Sequence, residues 1–321
     1  MGATKVKVIS ICFFMLCTHF IRAQQEPQYN MSYTNQVFFN PANIGYRNCI
    51  GTTVQGRFQW VGATGAPIAW NFGLDMPFFL GKSKNNCIGF GMIGYGDYVS
   101  FTTNGGLRFG LNYRRCKLGP GDLSFGIDMG LATKRYTNAV WNTPMPDPTL
   151  PDPNAAGETF DMGIGFYYAG DNFYTGISCT HLNGGRIEQT KTTLRQHLYV
   201  NGGGFIPLGA KQKWKLNPNT NIRTDFASIN FDVGLNALCF VNENHAILFG
   251  ANYRFVDAVG LNVGYAFSYK RGNRSRNGMF LIAYNCDLTM SRLNSSGLTS
   301  HELVLRFFFP GKDVKLQRAF F

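Results

Sequence analysis

Apolar and polar residues alternate with period two over most of this chain. Leu123, Phe125, Ile127, Met129 and Leu131 interleave with Ser124, Gly126, Asp128, Gly130 and Ala132. Phe160, Met162, Ile164, Phe166 and Tyr168 repeat the pattern against Asp161, Gly163, Gly165 and Tyr167, and the stretches from Ile229 to Leu235 and from Val259 to Phe267 do the same. Successive strand side chains point to opposite faces, so each segment has one greasy face and one small or polar face. A soluble sandwich would set Lys, Glu and Thr against its core face. Here the second face is Gly, Asn, Ser and Asp, which suits a lumen better than a soluble surface. About 14 segments of this kind occur, near 50–61, 67–79, 87–96, 101–113, 122–135, 159–169, 172–182, 196–207, 213–223, 227–239, 246–255, 258–270, 278–288 and 301–309. Each reaches the roughly 9–11 residues that a tilted membrane strand needs, and an even number suits a closed outer-membrane barrel. The pattern predicts an all-β fold, a transmembrane outer-membrane β-barrel of about 14 antiparallel strands.

The connections sort by parity. Those after the fifth, seventh and thirteenth segments are long (136–158, 183–195 and 289–300), whereas Gly170-Asp171 and Asn242-Glu243-Asn244 are tight turns. Long loops are expected outside the cell, with short turns and the N-terminus of the barrel on the periplasmic side. Five prolines between Pro144 and Pro153 predict a rigid, extended loop. Residues 24–47 lack alternation, and Asn40-Pro41-Ala42 reads as a capped helical turn with Pro in its first position. Tyr29, Met31, Tyr33, Val37, Phe38, Phe39 and Ile44 give this arm an apolar surface. Exposure would cost roughly 1.5–3 kcal/mol for each large side chain. The arm is therefore expected in the barrel lumen or against a periplasmic partner, and Gly-rich inward faces leave room for the former.

The extreme N-terminus supplies an address. Lys5 and Lys7 precede an apolar stretch from Val8 to Phe20, which reads as a signal peptide cleaved near Ala23-Gln24. That stretch is too short to span a bilayer, and the residues before Cys17 are too large for a lipoprotein site. The expected organisation is a signal peptide (1–23), an N-terminal arm (24–47), a barrel (48–310) and a C-terminal tail (311–321). Composition agrees: charged residues are only 15%, against roughly 25% in an average soluble domain. Losing Lys5, Lys7 and Arg22 with the signal lowers the net charge from +12 to +9. The basic stretches Lys211-Gln212-Lys213 and Lys270 to Arg276 fall in short turns and read as solvated.

Little chemistry is visible. Six cysteines remain after the signal, Cys49, Cys87, Cys116, Cys179, Cys239 and Cys286, and they read as small strand or turn residues with one or two bridges among them. Neither Cys nor His spacing resembles a metal site, so no metal and no cofactor is expected. No nucleophile lies beside a base, Ser178 with His181 being a chance pairing, and Gly202-Gly203-Gly204 lacks the Lys of a phosphate loop. An enzyme is not expected. Nor is nucleic acid a partner, because no basic-aromatic module accompanies the charge.

Four blocks near the two ends of the mature chain carry a resemblance. Gln25-Glu26-Pro27-Gln28, then Asn40-Pro41-Ala42-Asn43-Ile44-Gly45, then Arg57-Phe58-Gln59-Trp60-Val61-Gly62 with Gly65-Ala66-Pro67, and finally Ser300-His301-Glu302-Leu303 together resemble the PorP/SprF family of the type IX secretion system. The resemblance implies an outer-membrane barrel of Bacteroidetes-type bacteria, in contact with outer-membrane lipid, that serves protein secretion and gliding without catalysis. It also implies partners among other secretion components, such as periplasmic ring or lipoprotein subunits, and secreted cargo. Asn40, Pro41, Arg57, Gln59, Trp60, Gly65, Pro67, His301 and Glu302 are the motif positions it singles out. Trp60 reads equally as an interfacial aromatic, Pro67 as the close of the first hairpin, and Glu302 as an inward partner for a lumen Arg. A general diffusion porin is the competing reading; inward positions that are largely Gly, Ala, Ser and Asn weigh against it.

Overall fold

The computed structural model describes residues 26–81, 84–143, 145, 147–209, 213–270, 277–290 and 298–311. The expected signal peptide and all but the first residue of the expected C-terminal tail lie outside them, as do Lys211, Gln212 and the turn 271–276.

Alternation builds the strands as expected. The first seven are β1 (Gly51–Phe58), β2 (Ile68–Leu80), β3 (Asn86–Val99), β4 (Thr102–Leu118), β5 (Gly121–Tyr136), β6 (Ala156–Gly170) and β7 (Phe173–Thr180). β8 (His197–Gly204) continues past Phe205 into Ile206–Leu208. Then come β9 (Trp214–Thr224), β10 (Ile229–Phe240), β11 (His245–Arg254), β12 (Ala258–Lys270), β13 (Asn277–Thr289) and β14 (Thr299–Gly311). Every strand pairs antiparallel with its sequence neighbours, and β1 pairs with β14 from Gly51↔Phe308 to Phe58↔His301. The sheet is thus a closed 14-strand barrel with no free edge.

The two faces differ as the pattern requires. Along β4, Leu107, Phe109, Leu111 and Tyr113 point outward and are exposed, whereas Arg108, Asn112 and Arg114 point inward and are buried. No helix among the described residues is long and apolar enough to cross a membrane; the strands make the crossing.

Connections 137–155 and 181–196 leave the barrel at one end, opposite the end at which β1 begins and β14 finishes, and most of the expected third long connection (289–300) lies outside the described residues. The loop after β7 carries a small hairpin, Arg186–Ile187 paired with Thr192–Thr193.

Two local expectations need correction. The proline-rich loop is not one extended run, because Asp147 and Asp152 each cap a tight turn within it, at Leu150 N–H to Asp147 O (3.1 Å) and Ala155 N–H to Asp152 O (3.0 Å). Lys191 Nζ further ties it to the neighbouring loop by donating to Pro148 O at 2.5 Å. The six mature cysteines are all free thiols. Register explains why: Cys87 faces Phe79 and Arg114, Cys179 faces Leu198 and Ile164, Cys239 faces Trp214 and Ile247, and Cys286 faces Leu261 and His301. None of these four meets another cysteine across the sheet.

The inside–outside assignment is testable at one pair of neighbours. Leu261 is outward and Asn262 inward on β12. Leu261→Arg places a charge in hydrocarbon and should cost about 2–4 kcal/mol if near the midplane. The expected readout is loss of heat-modifiable migration on gels, while Asn262→Ser retains it.

Candidate functional site: the plugged lumen

The arm lies inside the barrel. Its chain turns tightly three times, at Ser32–Thr34, Gln36–Phe39 and Pro41–Asn43, and these residues are buried. Asn40 caps the last turn by accepting from Ala42 N–H (2.9 Å), with Pro41 next to it as expected. A segment enclosed this way has backbone groups that water cannot reach, so the wall must satisfy them.

The inward side chains do so. Arg108 donates to Phe38 O (2.9 Å), Ser178 to Phe39 O (2.7 Å), and Asn112 to both Ala42 O (2.6 Å) and Ile44 O (2.8 Å). Arg114 donates to Tyr46 O, and Gly45 N–H donates to Asp75 Oδ2 at 2.9 Å. The arm answers in kind: Asn40 Nδ2 donates to Phe166 O (3.0 Å) and Tyr46 Oη to Ala169 O (2.7 Å). Its apolar side chains pack on each other, with Phe38 edge-on to Phe39 at 4.9 Å and Phe39 against Tyr199 of the wall at 5.2 Å.

Glycine makes the fit possible. A Cβ on Gly126 would sit 2.3 Å from the Pro41 carbonyl carbon, and one on Gly110 would sit 2.2 Å from Ile44 Cδ1. Room for the arm therefore comes from missing side chains on β4 and β5, as the composition of the inward face anticipates.

A charged hub sits where the barrel closes. Arg57 on β1 and Glu302 on β14 are register partners across the closing seam. Arg57 pairs with Glu302 at 3.0 Å and with Asp287 at 2.6 Å, all three almost fully buried. Glu302 also accepts from Asn30 N–H (2.8 Å), Met31 N–H (2.9 Å) and Gln55 Nε2 (2.8 Å). One carboxylate thus joins both strands of the seam to the arm. Arg254 on β11 and Asp287 on β13 each bond to the Asn30 side chain.

The remaining motif residues lie around this hub, and of them Trp60 bonds across the seam. Gln59 N–H donates to Pro67 O (2.9 Å), and Trp60 N–H donates to the Ser300 hydroxyl (3.1 Å) from a left-handed backbone at φ 48°. Gly65, at φ 72°, accepts from Ser100 N–H (3.2 Å) and ties the first loop to the next. Pro67 is buried and directly precedes β2. His301 points away from the lumen and bonds the Tyr284 hydroxyl at 2.6 Å. Among the motif positions, Asn40, Pro41, Arg57 and Glu302 meet the plug contacts; Gln59, Trp60, Gly65, Pro67 and His301 do not.

Sequence reasoning missed part of this site. The inward face is not largely small: Arg57, Arg108, Arg114, Arg223, Arg254, Arg306, Asp75, Asp128, Asp161, Asp232, Asp287 and Glu302 are all buried. Strand parity was the available signal, since each sits in step with the non-greasy residues. At the loop end, Glu26 of the arm meets His181 Nε2 at 2.5 Å, while His181 Nδ1 bonds Asp161 at 2.8 Å. Burial disfavours charge on both Glu26 and His181. Their mutual attraction, with Asp161, outweighs it, so Glu26 is held well below the usual carboxylate range and His181 is pushed up to about 10. The arm therefore crosses the lumen from Glu26 at the loop end to Cys49 at the short-turn end. Above Glu26 opens a vestibule of about 380 Å³, bounded by Tyr95, Phe101, Lys134 and Arg195.

The comparisons with known proteins fit this architecture. The family model of the type IX secretion system membrane protein PorP/SprF matches residues 21–307. The chain belongs to the PorP/SprF family. Among solved structures it is similar to the CymD monoaromatic hydrocarbon channel, with 10% identity, 90% of this chain and 96% of that chain covered, and a TM-score of 0.52. A deltaS2S3 mutant of the TodX monoaromatic hydrocarbon channel gives 10% identity, 84% and 92% coverage, and a TM-score of 0.50. At such identities the likeness shows the fold alone, that of an outer-membrane barrel. No curated protein matches the chain. As a PorP/SprF protein it is a membrane component of type IX secretion.

Two substitutions separate plug from wall. Arg57→Ala strands Glu302 and Asp287 as buried charges and should destabilise the protein by about 3–5 kcal/mol, read as a lower denaturant midpoint. Gly126→Val should expel the arm while leaving the strands paired. Its expected signature is retained heat-modifiable migration with new protease cleavage between residues 28 and 47, which the wild type resists.

Proposed function

We propose that this PorP/SprF protein is a non-enzymatic anchor at the outer membrane, where it engages type IX secretion partners and cargo and does not pass small solutes. The observation that carries this reading is the filled lumen. Arg108, Asn112, Arg114, Asp75 and Glu302, which would line a porin's aqueous channel, bond the arm's own backbone, and Arg57 and Arg223 pair with carboxylates of the wall. A diffusion porin needs those groups facing water. With the long loops taken as extracellular, the loop end offers a broad surface to secreted cargo. The short turns face the periplasmic components that the family implies.

The deciding experiment is a gene deletion with two readouts. Loss of cargo from the cell surface with unchanged small-solute uptake is the expected outcome. Normal surface cargo with impaired uptake would overturn the anchor in favour of a porin. Conductance of the purified protein in a planar bilayer gives an independent check, with no stable open channel expected.

A further inference from the structure

Three potential metal ligands converge where the arm begins. Glu26 comes from the arm, His181 from the loop after β7 and His197 from the first residue of β8. Their ligand atoms lie within 4.8 Å of one another. They are remote in sequence and meet only because the arm threads the barrel, which is why linear spacing gave no hint of a metal site.

The surroundings are those of a built site. Metal-bound histidines usually donate their second ring N–H to a carboxylate or a backbone carbonyl, which fixes the tautomer. Both histidines here have that second partner: His181 Nδ1 meets Asp161 Oδ1 at 2.8 Å and His197 Nδ1 meets Arg195 O at 2.9 Å. Each ring therefore presents Nε2 to the cluster. His197 is 7% exposed, and its Nε2 has no hydrogen-bond partner. Buried nitrogens are rarely left so. The second oxygen of Glu26 accepts from the Tyr199 hydroxyl, which orients the carboxylate.

Charge points the same way. Arg108 lies 3.4 Å from Asp128, and Glu26 and Asp161 act on the same guanidinium. A bound dication would replace the proton that His181 shares with Glu26 and would offset the carboxylates of Glu26, Asp161 and Asp128 around that guanidinium.

We propose that Glu26, His181 and His197 form a binding site for a borderline divalent cation of the Zn²⁺ class, which latches the start of the arm to the barrel wall. Two imidazoles and one carboxylate suit such an ion and suit Ca²⁺ or Mg²⁺ poorly. Tetrahedral bonds of about 2.0 Å set ligand atoms about 3.3 Å apart. The Glu26–His181 contact opens slightly around the ion, and the ion takes the place of the proton between them. The vestibule supplies both the entry path and a water for the fourth position. The site does not depend on the secretion reading and stands or falls by itself.

The test uses full-length protein purified in detergent without a polyhistidine tag. After EDTA treatment and dialysis against Zn²⁺, elemental analysis should find one tightly held zinc per chain. Ca²⁺ and Mg²⁺ should not compete for it. Zinc at 100 times its Kd should slow protease cleavage next to Glu26 by about 100-fold, because cleavage requires the latch to open. His197→Ala should lose both the zinc and the protection. His197→Gln keeps a polar side chain of similar size, and its heat-modifiable migration confirms folding if the alanine variant misassembles. His245→Ala, which alters an exposed histidine bonded to Tyr265, should keep both. Absence of stoichiometric zinc in the wild type would overturn the site. So would zinc or protection retained in a folded His197 variant, since that places the metal elsewhere, on the cysteines for example.

Discussion

A polar backbone enclosed by a barrel wall must find in that wall every hydrogen-bond partner that its own turns do not supply. Most of the distinctive chemistry of this molecule follows from that requirement. The arm is too short and too irregular to satisfy itself by helix or sheet, having only three tight turns over its buried length. Its carbonyls at Phe38, Phe39, Ala42, Ile44 and Tyr46 are therefore met by Arg108, Ser178, Asn112 and Arg114. Leaving such a buried group unpaired costs about 1–3 kcal/mol, more than a made bond gains. The wall is polar at these positions because the arm is there, and the arm stays because the wall is polar.

Position along the barrel decides what kind of contact holds the arm. At the short-turn end the contacts are steric and to the arm's backbone: glycines on β4 and β5 admit Pro41 and Ile44, and backbone groups meet Asn112, Arg114 and Asp75. At the seam a buried carboxylate, Glu302, collects two arm N–H groups as well as Arg57. At the loop end the contact is ionic, Glu26 against His181. That last contact borders the vestibule. The arm is consequently most open to outside conditions at its first described residues, beside that vestibule.

The barrel was legible in the sequence because a lipid-facing strand leaves a strong period-two record. Leu123 to Leu131 on β5 and Val259 to Phe267 on β12 could only be strands with one apolar face, and the long connections fell at one end by parity. The break at Phe205 was hidden, since the apolar pattern continues through it into Ile206 and Leu208. The site was legible in part. Arg57 and Glu302 stood out through the family resemblance and share an inward parity, and an Arg partner for Glu302 was a natural expectation. Asp287, Arg108, Asp161 and Glu26 were not recoverable, because their roles depend on which arm atoms lie opposite them. Those contacts span 70 residues of sequence between Phe38 and Arg108 and 272 between Asn30 and Glu302. No local pattern encodes them.

The arm's contacts also decide whether such a barrel could stand empty. Removing the arm would leave Arg108, Asn112 and Arg114 facing a lumen whose Gly-lined walls were shaped around Pro41 and Ile44. Water would hydrate the charges, but Tyr199 would lose the tilted Phe39 ring and Tyr95 the edge-on Phe38 ring. The seam would lose more, because Glu302 holds two arm N–H groups in addition to the cross-strand Arg57. The plug is thus part of what closes β1 onto β14, rather than a stopper added to a finished pore. Any partner that displaces the arm must therefore offer the seam replacement donors of similar geometry. An extended peptide segment, with backbone N–H groups to present to Glu302, meets that demand. A small solute does not.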